Sequence, residues 1–431
     1  MDNNVKEYQL QGASMMGVGD YAKAKEYFLK ALEEEKTAEL YMDLGNATAS
    51  LEEYEEAIEA FQKALVLEPD NNEVMFDIGS VYLLQGDIKR TMEYYNKAEE
   101  KGFKRVILYT NFAKIYKVLG DMQMVIRNYT KAIEANPLRG DLYVEKIKAF
   151  MDMKRYQDAL NTLDDLKKVL PEAFEAYDLA AKIYTELGNT KMAETILEEG
   201  LARFPEDIPL RLSKVQLYIA IGDARKAEDT LKEIKANPNA AQYKRNIQMQ
   251  EVAVASMQQK AEETIQLLEG VIEEEPEDKC DVEARYLMMM TAMVKKDYQK
   301  ALDMAEVLAE QKEKNIFTVG SMYYKGELLQ KLEREDEALV QYKKASKQLL
   351  EMCLNKRASY ECYLFRALCH KALKEYDKAI ELAEFVSHLQ PTCVDGNMLL
   401  AEIYRDMGDE ENSKKHFTLA KIVEPQYGKG N

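Results

Sequence analysis

The sequence is short of most features that mark an enzyme, a membrane protein or a secreted module. Its 431 residues hold nine prolines and nineteen glycines, and no long Gly/Ser/Pro linker separates one part from another. A length that ordinarily suggests two or three domains is therefore read as one continuous stack. Five cysteines (Cys280, Cys353, Cys362, Cys369, Cys393) show no framework spacing, and an odd, sparse set fits a reducing compartment. No apolar run is long enough to cross a bilayer, so no membrane insertion is expected. The opening MDNNVKEYQLQG lacks the basic and apolar parts of an export signal, which makes the expected location cytoplasmic.

Positive charge is short as well. Fifty-nine Lys and Arg stand against 77 Asp and Glu, a formal charge of −18 that disfavours phosphate backbones and excludes DNA as a partner. RNA binding needs a continuous basic surface with stacking aromatics, and none is evident. Glycine-rich phosphate loops and the HExxH, GxSxG and CxxC motifs are missing. Cys362 and Cys369 fall on one helical face beside His370, too few ligands for a closed zinc site, and are expected in the core. His370 stands where other segments place a tyrosine and reads as a buried aromatic substitute. No cofactor, metal or catalytic residue is expected.

What the chain has is a repeat. Residues 38–71 read AELYMDLGNATASLEEYEEAIEAFQKALVLEPDN, and this 34-residue pattern returns along the sequence. Leu40, Tyr41, Leu44 and Ala47 form one apolar stripe at helical spacing; Tyr54, Ala57, Ile58, Phe61, Ala64 and Leu65 form a second. Neither helix covers its own apolar face. Gly45 and Ala57 are small enough to let two helix axes approach, and Pro69 stops the second helix. In the same phase, units begin near Val5, Ala38, Asn72, Val106, Gly140, Phe174 and Ile208. Between helices the turn reads GD at Gly19, Gly86, Gly120 and Gly222: the glycine takes positive φ and the aspartate caps the second helix. Gly102 replaces the terminal proline in the third unit.

By period and signature the chain resembles the tetratricopeptide repeat (TPR) family. Seven regular units fill 1–240. Three lengthened units, starting near Arg245, Val282 and Val319, fill 241–358, the first with no clear turn after a helix from about Ala241 to Gln258. Two regular units fill 359–431, ending at Pro391 and Pro425. The expected fold is all-α, a right-handed superhelical α-solenoid of antiparallel helical hairpins.

The resemblance implies a concave groove lined by first helices that holds a peptide or partner protein, without catalysis. Its groove places fall on Glu39, Asp43, Asn46, Phe76, Asp77 and Leu83, then on Asn111, Lys114, Lys117, Lys148 and Lys182, and in the later units on Met290, Met293 and Tyr323. The family's clamp for a chaperone's C-terminal carboxylate has no full counterpart, since Met42, Asn46 and Asp77 occupy one window and Thr110, Lys114 and Glu145 another. The lysines suggest a partner that is acidic, or mixed in charge, with the carboxylates taking its cations. Other readings stay open: a regulatory or chaperone-like adaptor that sequesters one partner, or an enzyme or RNA-binding protein built from the divergent middle units. Six residues follow Pro425, too few for a covering helix, so Leu400, Ile403, Met407, Phe417 and Ile422 are expected on an uncovered face, tolerated as a modest exposed patch in the first reading, with self-association or a partner protein as alternatives.

Overall fold

The computed structural model describes residues 3–274, 280–312, 314–353, 359–389 and 394–423. Pro276, Pro391, Cys393, Pro425 and the final six residues lie outside them. All regular structure among the described residues is helical. Contacts divide the chain into two units, Met1–Pro205 and Glu206–Asn431.

The first unit holds six antiparallel hairpins: α1 (Asn3–Gly17) with α2 (Tyr21–Glu34), α3 (Ala38–Ser50) with α4 (Tyr54–Leu67), α5 (Asn72–Leu84) with α6 (Ile88–Glu100), α7 (Val106–Leu119) with α8 (Met122–Ala135), α9 (Gly140–Asp152) with α10 (Tyr156–Val169), and α11 (Glu175–Glu186) with α12 (Thr190–Arg203). The second holds six more: α13 (Ile208–Ala220) with α14 (Ala224–Ala236), α15 (Lys244–Met257) with α16 (Ala261–Glu273), α17 (Val282–Val294) with α18 (Tyr298–Glu310), α19 (Ile316–Lys331) with α20 (Glu335–Cys353), α21 (Tyr360–Ala372) with α22 (Tyr376–Leu389), and α23 (Asp395–Asp406) with α24 (Glu410–Val423).

Turn chemistry explains why each hairpin folds back where it does. Gly19, Gly86, Gly120, Gly188, Gly222 and Gly408 sit at positive φ, and the next residue caps the following helix, as Asp87 does by accepting from the Arg90 N–H at 2.9 Å. The other six hairpins turn at the same place without glycine, through Glu52, Lys154, Gln259, Lys296, Glu333 and Lys374. The eighth unit differs here from the sequence expectation. Its first helix is preceded by a 3-10 turn, Ala240–Tyr243, stops at Met257, and turns at Gln259 with φ 59°. A side chain that bears a Cβ there hides a turn that glycine would have announced.

Packing inside a hairpin is set by a small residue against a ring. A Cβ on Gly45 would meet Phe61 Cε1 at 2.6 Å, and one on Gly326 would meet Tyr342 Cε1 at 2.6 Å. Phe61 is 1% exposed, so its ring has nowhere to go. Gly45 thus faces Phe61, the large residue four places after Ala57. Gly45→Ala should cost about 1–2 kcal/mol, overpacking less the helix propensity gained. Phe61→Leu in the same chain should recover most of that cost in a double-mutant cycle read by urea denaturation. Additive losses would show that the ring does not set the helix distance.

Between hairpins the third unit departs from the rest. Where the second, fourth, fifth and sixth units place proline, Gly102 turns with φ 96° and Phe103 tucks inward, 3% exposed and stacked on Phe76 at 4.6 Å between ring centroids. In the first unit α1 and α3, α3 and α5, and α9 and α11 approach one another, whereas α7 stands farther from α5 and α9; among the described residues no pair of second helices comes as close. The side shared by the first helices is termed the inner face of the first unit. In the last hairpin Leu400 and Ile403 are not on an uncovered face. They are buried with Ala379 and Ala383 of the preceding hairpin, which takes up that side of α23. Met407, Phe417 and Ile422 are exposed, with the Lys421 ammonium 4.5 Å from the Phe417 ring centroid.

Candidate functional site

The inner face of the first unit is built from α3, α5, α7, α9 and α11. Its residues recur one hairpin apart because the helices share a phase, so Asp43, Asp77 and Asn111 form one row, and Asn46, Ser80, Lys114, Lys148 and Lys182 another. Glu39 and Asn46 are exposed. Asp43 is half-buried and accepts a hydrogen bond from Gln9 Nε2 at 3.0 Å; burial pushes its carboxyl above the usual range.

Asp77 is the unusual member. Burial, aided by the charge of Glu73, pushes its carboxyl up to about 7. Among the described residues it has neither a hydrogen-bond nor an ion-pair partner. The Arg105 guanidinium, whose charge pulls the carboxyl the other way, is engaged with Glu73 at 2.7 Å. Beside it the Tyr95 hydroxyl bridges Ser80 Oγ at 3.1 Å and Asn111 Nδ2 at 3.0 Å, so Asn111 is committed to the scaffold. Phe76 and Leu83 are half-buried against the same core, Phe76 stacked between Tyr95 and Phe103. Phe103 belongs to this face and was not legible in the sequence, since it lies in an irregular connection.

The lysines divide into two pairs. Lys148 binds Glu145 at 2.8 Å and Lys182 binds Asp178 at 2.7 Å, each on its own helix. Lys114 and Lys117 are exposed and form no ion pair among the described residues. Lys146 is half-buried, its ammonium 5.9 Å from the Phe150 ring centroid, as a snorkelling side chain should be.

In the second unit Met290 and Met293 are half-buried against the core, while Met288 and Met289 are 1% and 0% exposed. Tyr323 packs on Tyr342, Phe365 and Tyr324 with ring centroids 5.5–6.1 Å apart, so most of its ring serves the interior. Cys362 and Cys369 are buried and burial pushes the Cys369 thiol up to about 12.

His370 is buried too. Its Nδ1 meets Glu375 Oε2 at 2.7 Å and its Nε2 meets Ser346 Oγ at 3.1 Å. The order Ser–His–Glu resembles a nucleophile relay, but Ser346 lies inside α20 and is itself buried. The arrangement clasps α20 to α21. Burial holds the imidazole below its ordinary value, against the pull of Glu375 and with Arg366 and Lys378 acting in the same sense as burial. A depressed histidine gives stability that is whole above the unfolded value of 6.5 and is lost as pH falls below it. The urea midpoint of the second unit should drop between pH 7 and pH 5, and His370→Gln should flatten that slope. An unchanged slope in the variant would remove His370 as its source.

Among the described residues no three His, Cys, Asp or Glu side chains gather as metal ligands, and no helix is long and apolar enough to cross a membrane. Stacked antiparallel hairpins with a lined inner face define a helical-repeat protein. Sequence profiles described as TPR repeat match residues 45–86, and as tetratricopeptide repeat match 184–245 and, separately, 8–37, 73–100 and 394–426. Tetratricopeptide repeats thus recur along the chain, in step with its helical hairpins. A profile described as a bacterial transcriptional activator domain matches 98–184, where the hairpins continue unchanged. A TPR repeat-containing protein of Methanocaldococcus jannaschii is 37% identical over 84 residues, 19% of this chain and 15% of that protein. The chain thus matches less than a fifth of that relative's length. Yeast Tom70 aligns over 99% of this chain and 96% of its own at 17% identity and a TM-score of 0.45. YrrB, described as a TPR protein with an unusual peptide-binding site, aligns over 42% of this chain and 94% of its own at 22% identity and a TM-score of 0.35.

Proposed function

We propose that the chain is a non-catalytic scaffold whose first unit binds a peptide segment or partner protein of mixed charge on its inner face. The observation that carries this is Asp77, a half-buried carboxylate one hairpin away from Lys114 and Lys117, with none of the three in an ion pair among the described residues. A partner's Lys or Arg completes Asp77, and its Asp or Glu completes the lysines; the first pair forms on a half-buried group and fixes the register, while the exposed lysines add steering. Asn46 and Glu39 border the same track and offer further polar contacts. Lys148 and Lys182 are poorer anchors, because a ligand must compete with Glu145 and Asp178.

Replacing Lys114, Lys117, Lys148 and Lys182 together by glutamate should release the native partner and leave the helical circular-dichroism signal intact. Lys114→Glu with Lys117→Glu should account for most of that loss. Partner recovery that survives all four replacements would place the binding surface elsewhere.

A further inference from the structure

We infer that the inner face of the fifth and sixth hairpins holds a cavity for one bulky apolar side chain of the bound segment, and that the residue next to it in that segment is Lys or Arg. This rests on the reading of the inner face as a peptide-binding surface and assigns it a specificity pocket.

The cavity measures about 620 Å³. Its apolar floor is Val144 from α9, Leu166 from α10, and Leu170 and Pro171 from the connection to α11. Gly140 opens its mouth: a Cβ there would meet Leu170 Cδ1 at 2.9 Å. A volume of this size, apolar below and polar at the rim, suits an inserted side chain rather than an ion. Asp141, Val144, Glu145 and Lys148 all project from the groove face of α9, so a segment running past Asp77 and Lys114 meets the cavity next.

The rim sets the charge of the occupant. Three of its carboxylates are already paired: Asp141 with Arg139 at 2.5 Å, Glu145 with Lys148 at 2.8 Å and Glu172 with Arg203 at 2.6 Å. Glu175, in the first turn of α11, has no partner among the described residues. Its exposed carboxylate over an apolar floor complements a side chain that buries carbon with a cation one residue away. An anion beside the apolar group would instead be repelled by Glu175.

A small amphiphile tests the cavity without any partner. 4-Phenylbutylamine, at millimolar concentration, should shift the methyl NMR signals of Val144, Leu166 and Leu170 in the full chain. 4-Phenylbutyrate should bind at least fivefold more weakly. Glu175→Lys, an exposed change that leaves the fold alone, should invert that preference, and Val144→Trp should abolish both. A blocked hexapeptide of sequence GSLKSG should displace the amine, and GSLESG should not. Equal binding of amine and carboxylate, or signals unmoved by the amine, overturns the cavity; failure of the first peptide to displace the amine overturns its occupant. These outcomes stand apart from the lysine test. If the amine binds while the four-lysine variant keeps its partner, the Asp77–Lys114 track is wrong and the cavity remains.

Discussion

Asp77→Asn should raise the stability of the first unit by about 2 kcal/mol at pH 8 and by almost nothing at pH 4. The carboxyl is held at about 7 in the folded chain against an ordinary 3.8. A raised acid binds its proton more tightly folded than unfolded, so its contribution is favourable at low pH and is lost as pH rises through the folded value. At about 1.4 kcal/mol for each pH unit the full displacement is worth roughly 4 kcal/mol; the openness of the inner face to solvent halves this to about 2. Asparagine keeps the shape and never carries the charge. The same replacement should weaken partner binding, since the partner's cation loses its counter-charge. Stability gained together with binding lost is the mark of a group retained for function at the expense of the fold. A urea midpoint that does not move between pH 4 and pH 8 when variant and parent are compared would show that the carboxylate is not held destabilised.

The second large effect lies in the turns. Glu52, Lys154, Gln259, Lys296, Glu333 and Lys374 sit at φ between 56° and 64°, where a Cβ is strained by about 1–2 kcal/mol. Glycine removes that strain but returns about 0.5–1 kcal/mol through the freedom of the unfolded chain. Each exchange should gain roughly 0.5–1 kcal/mol, as six other hairpins already use glycine at this place. The sites belong to separate hairpins, so their effects should add to roughly 3–6 kcal/mol. Two of them lie in the first unit and four in the second, so the second should gain more. The reverse exchange, Gly86→Ala, should cost about 1 kcal/mol. A six-glycine chain that melts with its parent would mean that local strain does not limit these turns.

Helix positions in the regular units were readable because the 34-residue period keeps their apolar stripes in phase; in the lengthened units the stripes themselves had to be followed, as along α20 over Glu335–Cys353. Ala24, Ala57, Ala159, Ala193 and Ala227, which occupy the same place in their repeats, and Thr91 and Val125, which stand there in the third and fourth, are all buried, as one close-packed position requires. What escaped reading depends on contacts between distant segments or on backbone shape. Gln259 carries no turn signal, Phe103 enters the core from an irregular connection, and Leu400 and Ile403 are covered by the preceding hairpin. The basic strip was legible, and so was its interruption by carboxylates. Glu145 and Asp178 lie three and four places before Lys148 and Lys182, the spacing at which helical neighbours pair. The isolation of Asp77 needed coordinates, because it follows from Arg105 turning to Glu73 instead.

The central claim is that the inner face of the first unit carries the partner. Two single-site variants of the full chain test it, with a photo-crosslinking amino acid at Lys114 on α7 or at Arg127, an exposed site on α8. After illumination in native lysate, a discrete covalent adduct should form from position 114, weaken when Asp77→Asn is added, and be missing from position 127. Adducts from position 127 with none from position 114 would contradict the account.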